Sequence, residues 1–250
     1  MYKLLLCHRR VPDLSYRQFH TYCLNQRSRL VLKLKTQLGY TGYSQLHQLP
    51  RTNLLYNGIL LTRSPLVTGL LASKAPEKIS SQTNNRQIQQ SERWDVIEQF
   101  LYPSQDALVT NLTTQQGSET AQQLLANQEA YVERTTVITA EEFVVVEPPS
   151  LSFPRINNML FLRSPGGMTR ETMLNYWSTE HKELVQSKQS ALRYRAYDQL
   201  HIRSSPDLSA VGKTLGGNLG GKRSLPPEGA IAIFSSQLEL KVESCPFSLK

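Results

Sequence analysis

The chain has 250 residues, of which 39% are hydrophobic, 8% aromatic and 19% charged, with a formal charge of +8. That length fits one large domain or two small ones, and the composition excludes collagen, a coiled coil and wholesale disorder. No stretch approaches the roughly 20 apolar residues that cross a bilayer. Met1 to Cys7 runs straight into His8, Arg9 and Arg10 instead of forming a secretory signal. Three cysteines without metal-site spacing point to a reducing, cytoplasmic setting.

Taken in chain order, Tyr2–His8 reads as a buried strand, and Pro12-Asp13 as a turn. Ser15 is an N-cap candidate for the helix that follows, and Tyr40–Gln48 an alternating second strand. Residues 48–91 read as an insertion, in which Leu54–Thr62 could form a strand and Ser80–Ser91 is polar. Trp94–Leu101 is a third strand, Ser104–Asn127 carries helical runs broken near Gly117, and Val137–Glu147 is a fourth strand. After Pro148-Pro149-Ser150, the order begins again with a strand at Met159–Leu162, a Pro-Gly-Gly turn and a helix capped by Thr169. A strand follows at Tyr194–Ile202. Ser204–Glu228 reads as a Gly- and Pro-rich loop, and Ala230–Phe234 and Gln237–Val242 as two short strands with no room for a helix between them.

This recurrence is an internal repeat. Residues 6–47 match residues 160–201 without a gap at an offset of 154. The identical pairs are Leu6/Leu160, Arg9/Arg163, Tyr22/Tyr176, Leu30/Leu184, Val31/Val185, Leu38/Leu192, Tyr40/Tyr194, Tyr43/Tyr197, Gln45/Gln199, Leu46/Leu200 and His47/His201. Roughly two or three would arise from average composition. The predicted fold class is α+β. Two ferredoxin-like repeats would form a pseudo-two-fold α/β barrel within one chain. The first repeat spans 1–147 with its insertion at 48–91, and a linker covers 148–155. The second, shortened repeat spans 156–250 with its loop at 204–228.

Arg163-Ser164-Pro165-Gly166-Gly167-Met168-Thr169-Arg170-Glu171, then Tyr176-Trp177-Ser178-Thr179-Glu180-His181, then Leu184-Val185, resembles the EthD-like family of dimeric α/β-barrel proteins. Trp94-Asp95 and the Val137–Glu147 strand resemble the later part of that domain. The resemblance implies a small-molecule pocket between two ferredoxin-like units. It also implies kinship with barrels that run cofactor-free cyclisations, isomerisations, lyase steps and oxygenations, and more distantly with haem-binding barrels. One departure is that Arg27 and Cys23 stand in the first repeat where the second has His181 and Trp177.

His181 shares an apolar helical stripe with Trp177 and Leu184, and its side chain can move a proton near neutrality. A helix-end histidine satisfied by a neighbour is the alternative. Tyr197, Gln199 and His201 share one face of a strand, as do Tyr43, Gln45 and His47, with Leu200 and Leu46 on the other. The polar faces are expected to look into the pocket between the sheets, either as polarising groups for a carbonyl or as a structural ladder. Arg163 and Arg9 are candidates to hold an anionic substrate group or to cap a helix, and Tyr176 and Trp177 to wall the pocket.

The expected function is therefore cofactor-independent acid/base catalysis of a cyclase, isomerase or lyase type on a carbonyl-bearing polyketide- or aromatic-derived molecule. His181, Tyr197 and His201 would be catalytic. The rivals are a haem-binding or oxygenase-type barrel, since one axial histidine suffices, and a non-catalytic binding protein. The five histidines lack metal-site spacing. Gly216-x4-Gly221-Lys222 has a phosphate-loop spacing, but Arg223 replaces the hydroxyl residue and Pro226-Pro227 blocks a helix, so a flexible loop or lid is expected. Residues 1–50 carry a net +7. Arg27, Arg29, Lys33 and Lys35 alternate with apolar residues and no aromatic platform, which reads as a solvated basic face and argues against nucleic acid. The expected partner is a small molecule, with no membrane and with a homodimer left open.

Overall fold

The computed structural model describes residues 1–48, 55–56, 59–60, 94–147, 155–163, 167–192, 194–203, 205–215 and 229–237. Strand β1 (Tyr2–Arg10) leads into α1 (Tyr16–Tyr22), a π-helical turn (Cys23–Arg27), α2 (Ser28–Lys33), α3 (Lys35–Leu38) and β2 (Gly42–His47). Ser15 and Gln18 start α1 with a reciprocal capping box. Gly39, in the left-handed conformation at φ +64°, ends α3. The expected strand at Leu54–Thr62 is instead a minimal hairpin of β3 (Leu55–Tyr56) and β4 (Ile59–Leu60). The remainder of the 48–91 insertion beyond Gln48 lies outside the described residues.

Strand β5 (Val96–Tyr102) is followed by α4 (Gln105–Thr113), α5 (Gln115–Gln128) and the long β6 (Val132–Val146). The helical break falls at Thr114, not Gly117. Thr114 is extended, and its hydroxyl accepts the N–H of Gly117 at 3.2 Å to cap α5. Gly117 is required for a different reason: a Cβ there would meet the Asn111 carbonyl oxygen of α4 at 1.8 Å.

The second unit runs β7 (Arg155–Arg163), α6 (Arg170–Tyr176), a second π-helical turn (Trp177–His181), α7 (Lys182–Ser187), α8 (Gln189–Leu192) and β8 (Ala196–Ile202). Arg155, placed in the linker by sequence, already belongs to β7. The expected Gly- and Pro-rich loop is partly helical: α9 (Pro206–Thr214) is capped by the Ser205 hydroxyl and carries Pro206 in its first turn. Where two short strands were expected, β9 (Gly229–Gln237) is one strand, and Ser235 and Ser236 lie within it. Residues 238–242 and the Gly216–Lys222 stretch lie outside the described residues.

All seven long strands join in one antiparallel sheet in the order β2-β5-β1-β6-β8-β9-β7. The protein is thus a mixed α+β fold. Strands of the first unit have the spatial order fourth-first-third-second, and those of the second unit run second-third-first. Strand β6 is the seam, since it pairs with β1 along one edge and with β8 along the other.

Alternation along the strands separates two cores. Tyr2, Leu4 and Leu6 of β1, Phe100 and Tyr102 of β5 and Val137 of β6 pack beneath Val31, Leu34, Leu38, Leu108, Leu112 and Leu124 of the helices. Leu208, Val211 and Leu215 dock α9 onto this same core of the first unit. The opposite sheet face buries Leu5, Cys7, Ile97, Ile138, Ala140, Leu200 and Ile202 with Trp94, without helical cover among the described residues. Leu46 of β2 and Met159 of β7, at opposite ends of the strand order, both pack against this cluster. No helix among the described residues is long and apolar enough to cross a membrane.

Gly117→Ala is expected to destabilise the protein by about 1–3 kcal/mol through overpacking, although alanine is the better helix former by about 1 kcal/mol. Urea denaturation showing equal or higher stability would refute the close-approach argument.

Candidate functional site

The offset of 154 extends from residue identities to individual hydrogen bonds. Tyr40 donates its O–H to the Val31 carbonyl at 3.0 Å, and Tyr194 does the same to Val185 at 2.8 Å. Gln45 donates its amide to the Cys23 carbonyl at 3.1 Å, and Gln199 donates to Trp177 at 2.9 Å. The same two amides lie 2.6 and 3.3 Å from the Tyr43 and Tyr197 hydroxyls. His47 and His201 complete each row, with Nε2 at 3.0 and 3.2 Å from the glutamine Oε1. In both units the glutamine reaches the first carbonyl of the π turn, where the altered helical spacing opens the backbone to a side chain.

These bonds correct the expected orientation. The Tyr-x-Gln-x-His faces lie beneath the helices of their own units, while Leu46 and Leu200 point into the helix-free core. The polar site is therefore not between the sheets.

In the first unit the place beneath the π turn is filled by charge. Arg27, expected on a solvated face, is 2% exposed, whereas Arg29, Lys33 and Lys35 are exposed. Its guanidinium meets the fully buried Glu98 carboxylate through Nη2 at 2.9 Å and Nε at 3.1 Å, and Nη1 donates to the Leu124 carbonyl at 2.6 Å. Tyr43 donates to Glu98 Oε1 at 2.6 Å, and His8 Nε2 lies 2.9 Å from Oε2. His8 Nδ1 is 2.9 Å from the Thr135 hydroxyl. Burial pushes the Glu98 carboxyl upward, but Arg27 and the His8 hydrogen bond outweigh it and hold it well below the usual carboxylate range. Sequence reasoning missed Glu98 and His8. The available signal was a charged residue at the helix-facing alternate between Val96 and Phe100.

In the second unit the same place is neutral. His181 stands at the end of its π turn, 5% exposed, stacked on Trp177 with ring centroids 3.8 Å apart. The Tyr197 and Tyr176 rings lie 6.4 and 6.3 Å away. Among the described residues, His181 Nε2 is buried without a hydrogen-bond partner. Desolvation lowers its pKa to about 4, so the ring is uncharged at neutral pH. His201, 4.4 Å from the Phe143 ring, is also lowered to about 4 by burial and then by Arg203. Burial raises the Tyr197 hydroxyl, which stays protonated. A neutral imidazole can accept a proton, and a phenolic O–H can polarise an oxygen.

Thus His181, Trp177, Tyr176, Tyr197, Gln199 and His201 come together, and Tyr43, Gln45 and His47 form the matching row of the other unit. His47 there also packs edge-on against His20, with centroids 4.1 Å apart. Arg9 does not join either group: it is at the surface and pairs with Glu133 at 3.1 Å. The Arg163 side chain lies outside the described residues, although its backbone ends β7 opposite Gly229. A scan of protein-family models finds no match to the chain, and a search of curated proteins finds none.

Removing one member of a buried ion pair strands the other, at about 3–5 kcal/mol. Arg27→Met and Glu98→Gln are each expected to lower the free energy of unfolding by that order, and chemical denaturation showing less than about 1 kcal/mol would contradict the role assigned to the pair. His181 and His201 bind protons less readily folded, at about 4, than unfolded, at about 6.5. Their contribution is complete above pH 6.5 and is lost as pH falls through that window to about 4. Unfolding free energies measured from pH 7 to 4.5 should fall, and a His181→Gln/His201→Gln variant should show a shallower slope.

Proposed function

We propose that the chain is a pseudo-two-fold barrel of two ferredoxin-like repeats, akin to EthD-like proteins, with one small-molecule site beneath the π turn of the second repeat. Supporting the architecture are the matching strand orders, the bridging position of β6 and the common cluster reached by Leu46 and Met159 from the two edge strands. The activity we assign is cofactor-independent acid/base chemistry on a carbonyl-bearing small molecule of polyketide or aromatic type, in a cyclisation, isomerisation or elimination.

One observation carries this reading: a buried, uncharged His181 whose Nε2 has no hydrogen-bond partner among the described residues, with the Tyr197 ring centroid 6.4 Å from its own. In this reading His181 Nε2 takes a proton from carbon next to the carbonyl, and the Tyr197 O–H holds the oxygen on which the electron pair settles. The same proton returns from His181 at the end of the step. Gln199 fixes both the π-turn carbonyl and the tyrosine oxygen, so it positions the pair. The Trp177 face keeps the imidazole planar to its ring and dry.

The same unpartnered Nε2 supports haem as the second reading, with His181 as the axial ligand. Titration of the purified protein with haemin separates the two. A Soret shift that disappears in His181→Ala favours haem, and an unshifted spectrum removes it.

The test of catalysis is exchange of α-protons from a panel of 1,3-dicarbonyl and phenolic compounds in deuterated water, followed by NMR. Catalysed exchange is expected with the wild type, and His181→Ala should reduce it by about 10²–10⁴-fold, the usual weight of a general base. Undiminished exchange in a folded His181→Ala protein would overturn the assignment.

A further inference from the structure

The outward helical faces of the two repeats occupy equivalent positions and carry opposite charge. Phe19, Cys23, Arg27 and Val31 point inward in the first repeat, and Met173, Trp177, His181 and Val185, each 154 residues later, do so in the second. On the opposite side the first repeat exposes Arg17 and Arg29, and the same two places in the second expose Glu171 and Glu183. From Tyr16 to Lys33 there is no acidic residue to neutralise the arginines. Among the described residues, none of these four side chains has an ion-pair or hydrogen-bond partner. The first face also exposes Leu24 by 49% and Leu32 by 58%, where the second has the polar Ser178 and Gln186.

Both faces are exposed in the same chain, so neither covers the other, and a complement has to come from a second molecule. We propose that this second molecule is another copy of the chain, and that the first repeat's helical face docks antiparallel on the second repeat's face of that copy. Arg17 to Arg29 and Glu171 to Glu183 have the same separation along the chain, and each stretch contains one five-residue π turn. Two ion pairs therefore form together, Arg17 with Glu183 and Arg29 with Glu171. Each residue meets the repeat equivalent of its partner's opposite number, which imitates the self-complementary pairing of a two-fold contact.

The apolar residues choose the direction. In the antiparallel order Leu24 falls opposite the half-buried Tyr176, and Leu32 opposite Met168, which is 37% exposed just before the helix cap. A parallel order would also match the charges, but it would set both leucines against Ser178 and Gln186 and bury less apolar surface. The remaining charges agree with the antiparallel order: Glu180 falls opposite His20, and Lys182 opposite the uncharged Gln18. A face running from Arg17 to Leu32 is about 24 Å long. One such contact is smaller than the roughly 800 Å² per partner of a stable interface. Association is therefore reversible, concentration-dependent and screened by salt.

Sedimentation velocity of the full chain from micromolar to about millimolar concentration tests the proposal. At low ionic strength the wild type should self-associate, and at about 1 M salt, where the screening length is about 3 Å, it should do so less. Arg29→Glu and Glu171→Arg each place like charges together, so each alone should weaken association at least about tenfold. An equimolar mixture of the two, or the double variant, restores opposite charges at every contact and should recover association to within about threefold of the wild type. A wild type that stays monomeric throughout overturns the proposal, as do single variants that associate normally. Loss in both single variants without recovery on mixing places the contact elsewhere and overturns it too. Recovery of Arg29→Glu by Glu183→Arg in place of Glu171→Arg overturns the antiparallel order. Should one of these variants fail to fold, the same cycle at Arg17 and Glu183 decides by the same outcomes.

Discussion

The helix-to-sheet geometry depends on one hydrogen bond, the glutamine amide of the second strand reaching the first carbonyl of a π-helical turn. An amide anchored to the backbone at that point fixes the glutamine, and the glutamine in turn fixes the tyrosine two residues earlier and the histidine two residues later. A buried amide left without such partners is destabilising by about 1–3 kcal/mol. Each unit therefore keeps the whole row or none of it. The last residue of the π turn is where the two units differ, Arg27 in the first and His181 in the second.

They differ in how they satisfy buried polar groups. The first unit closes its network internally: Glu98 collects the guanidinium, the His8 ring and the Tyr43 hydroxyl, and α5 supplies a carbonyl to Arg27. A buried carboxylate this well surrounded holds helices and strands in one arrangement, and its loss leaves an uncompensated charge. Among the described residues each unit also has one buried imidazole nitrogen without a hydrogen-bond partner, His47 Nδ1 in the first and His181 Nε2 in the second. Unmatched buried polarity is uncommon in folded proteins. The charged network lies in one half and the uncharged imidazole in the other.

The helix α9 shows why sequence reading overlooked part of the second unit. Pro206 and the flanking serines look like loop residues, yet Ser205 caps the helix and proline at its first turn is compatible with it. Its apolar residues Leu208, Val211 and Leu215 gain their burial from the first unit's core, a contact with no local signature. The break expected near Gly117 falls at Thr114, and the glycine itself serves another purpose. Glycine usually marks a helix end, but here it permits close approach of α4 and α5, which no pattern within α5 reveals. By contrast the N-caps Ser15 and Thr169, the first two strands of each unit and the tyrosine-glutamine-histidine rows were legible because they depend on spacing within a few residues.

From sequence alone came the repeat, the strand-helix-strand grammar, the placement of each polar row on one strand face, and the difference between Arg27 and His181. Period-two alternation and helical stripes are local, so side-chain order along the chain is enough to determine them. Which face of the sheet lies under the helices was not, since both faces are buried and carry apolar residues. Only the tertiary structure turned the polar rows away from the opposite sheet face and buried Arg27 against Glu98. Pairing between strands distant in the sequence decides those matters, and no offset within the sequence encodes it.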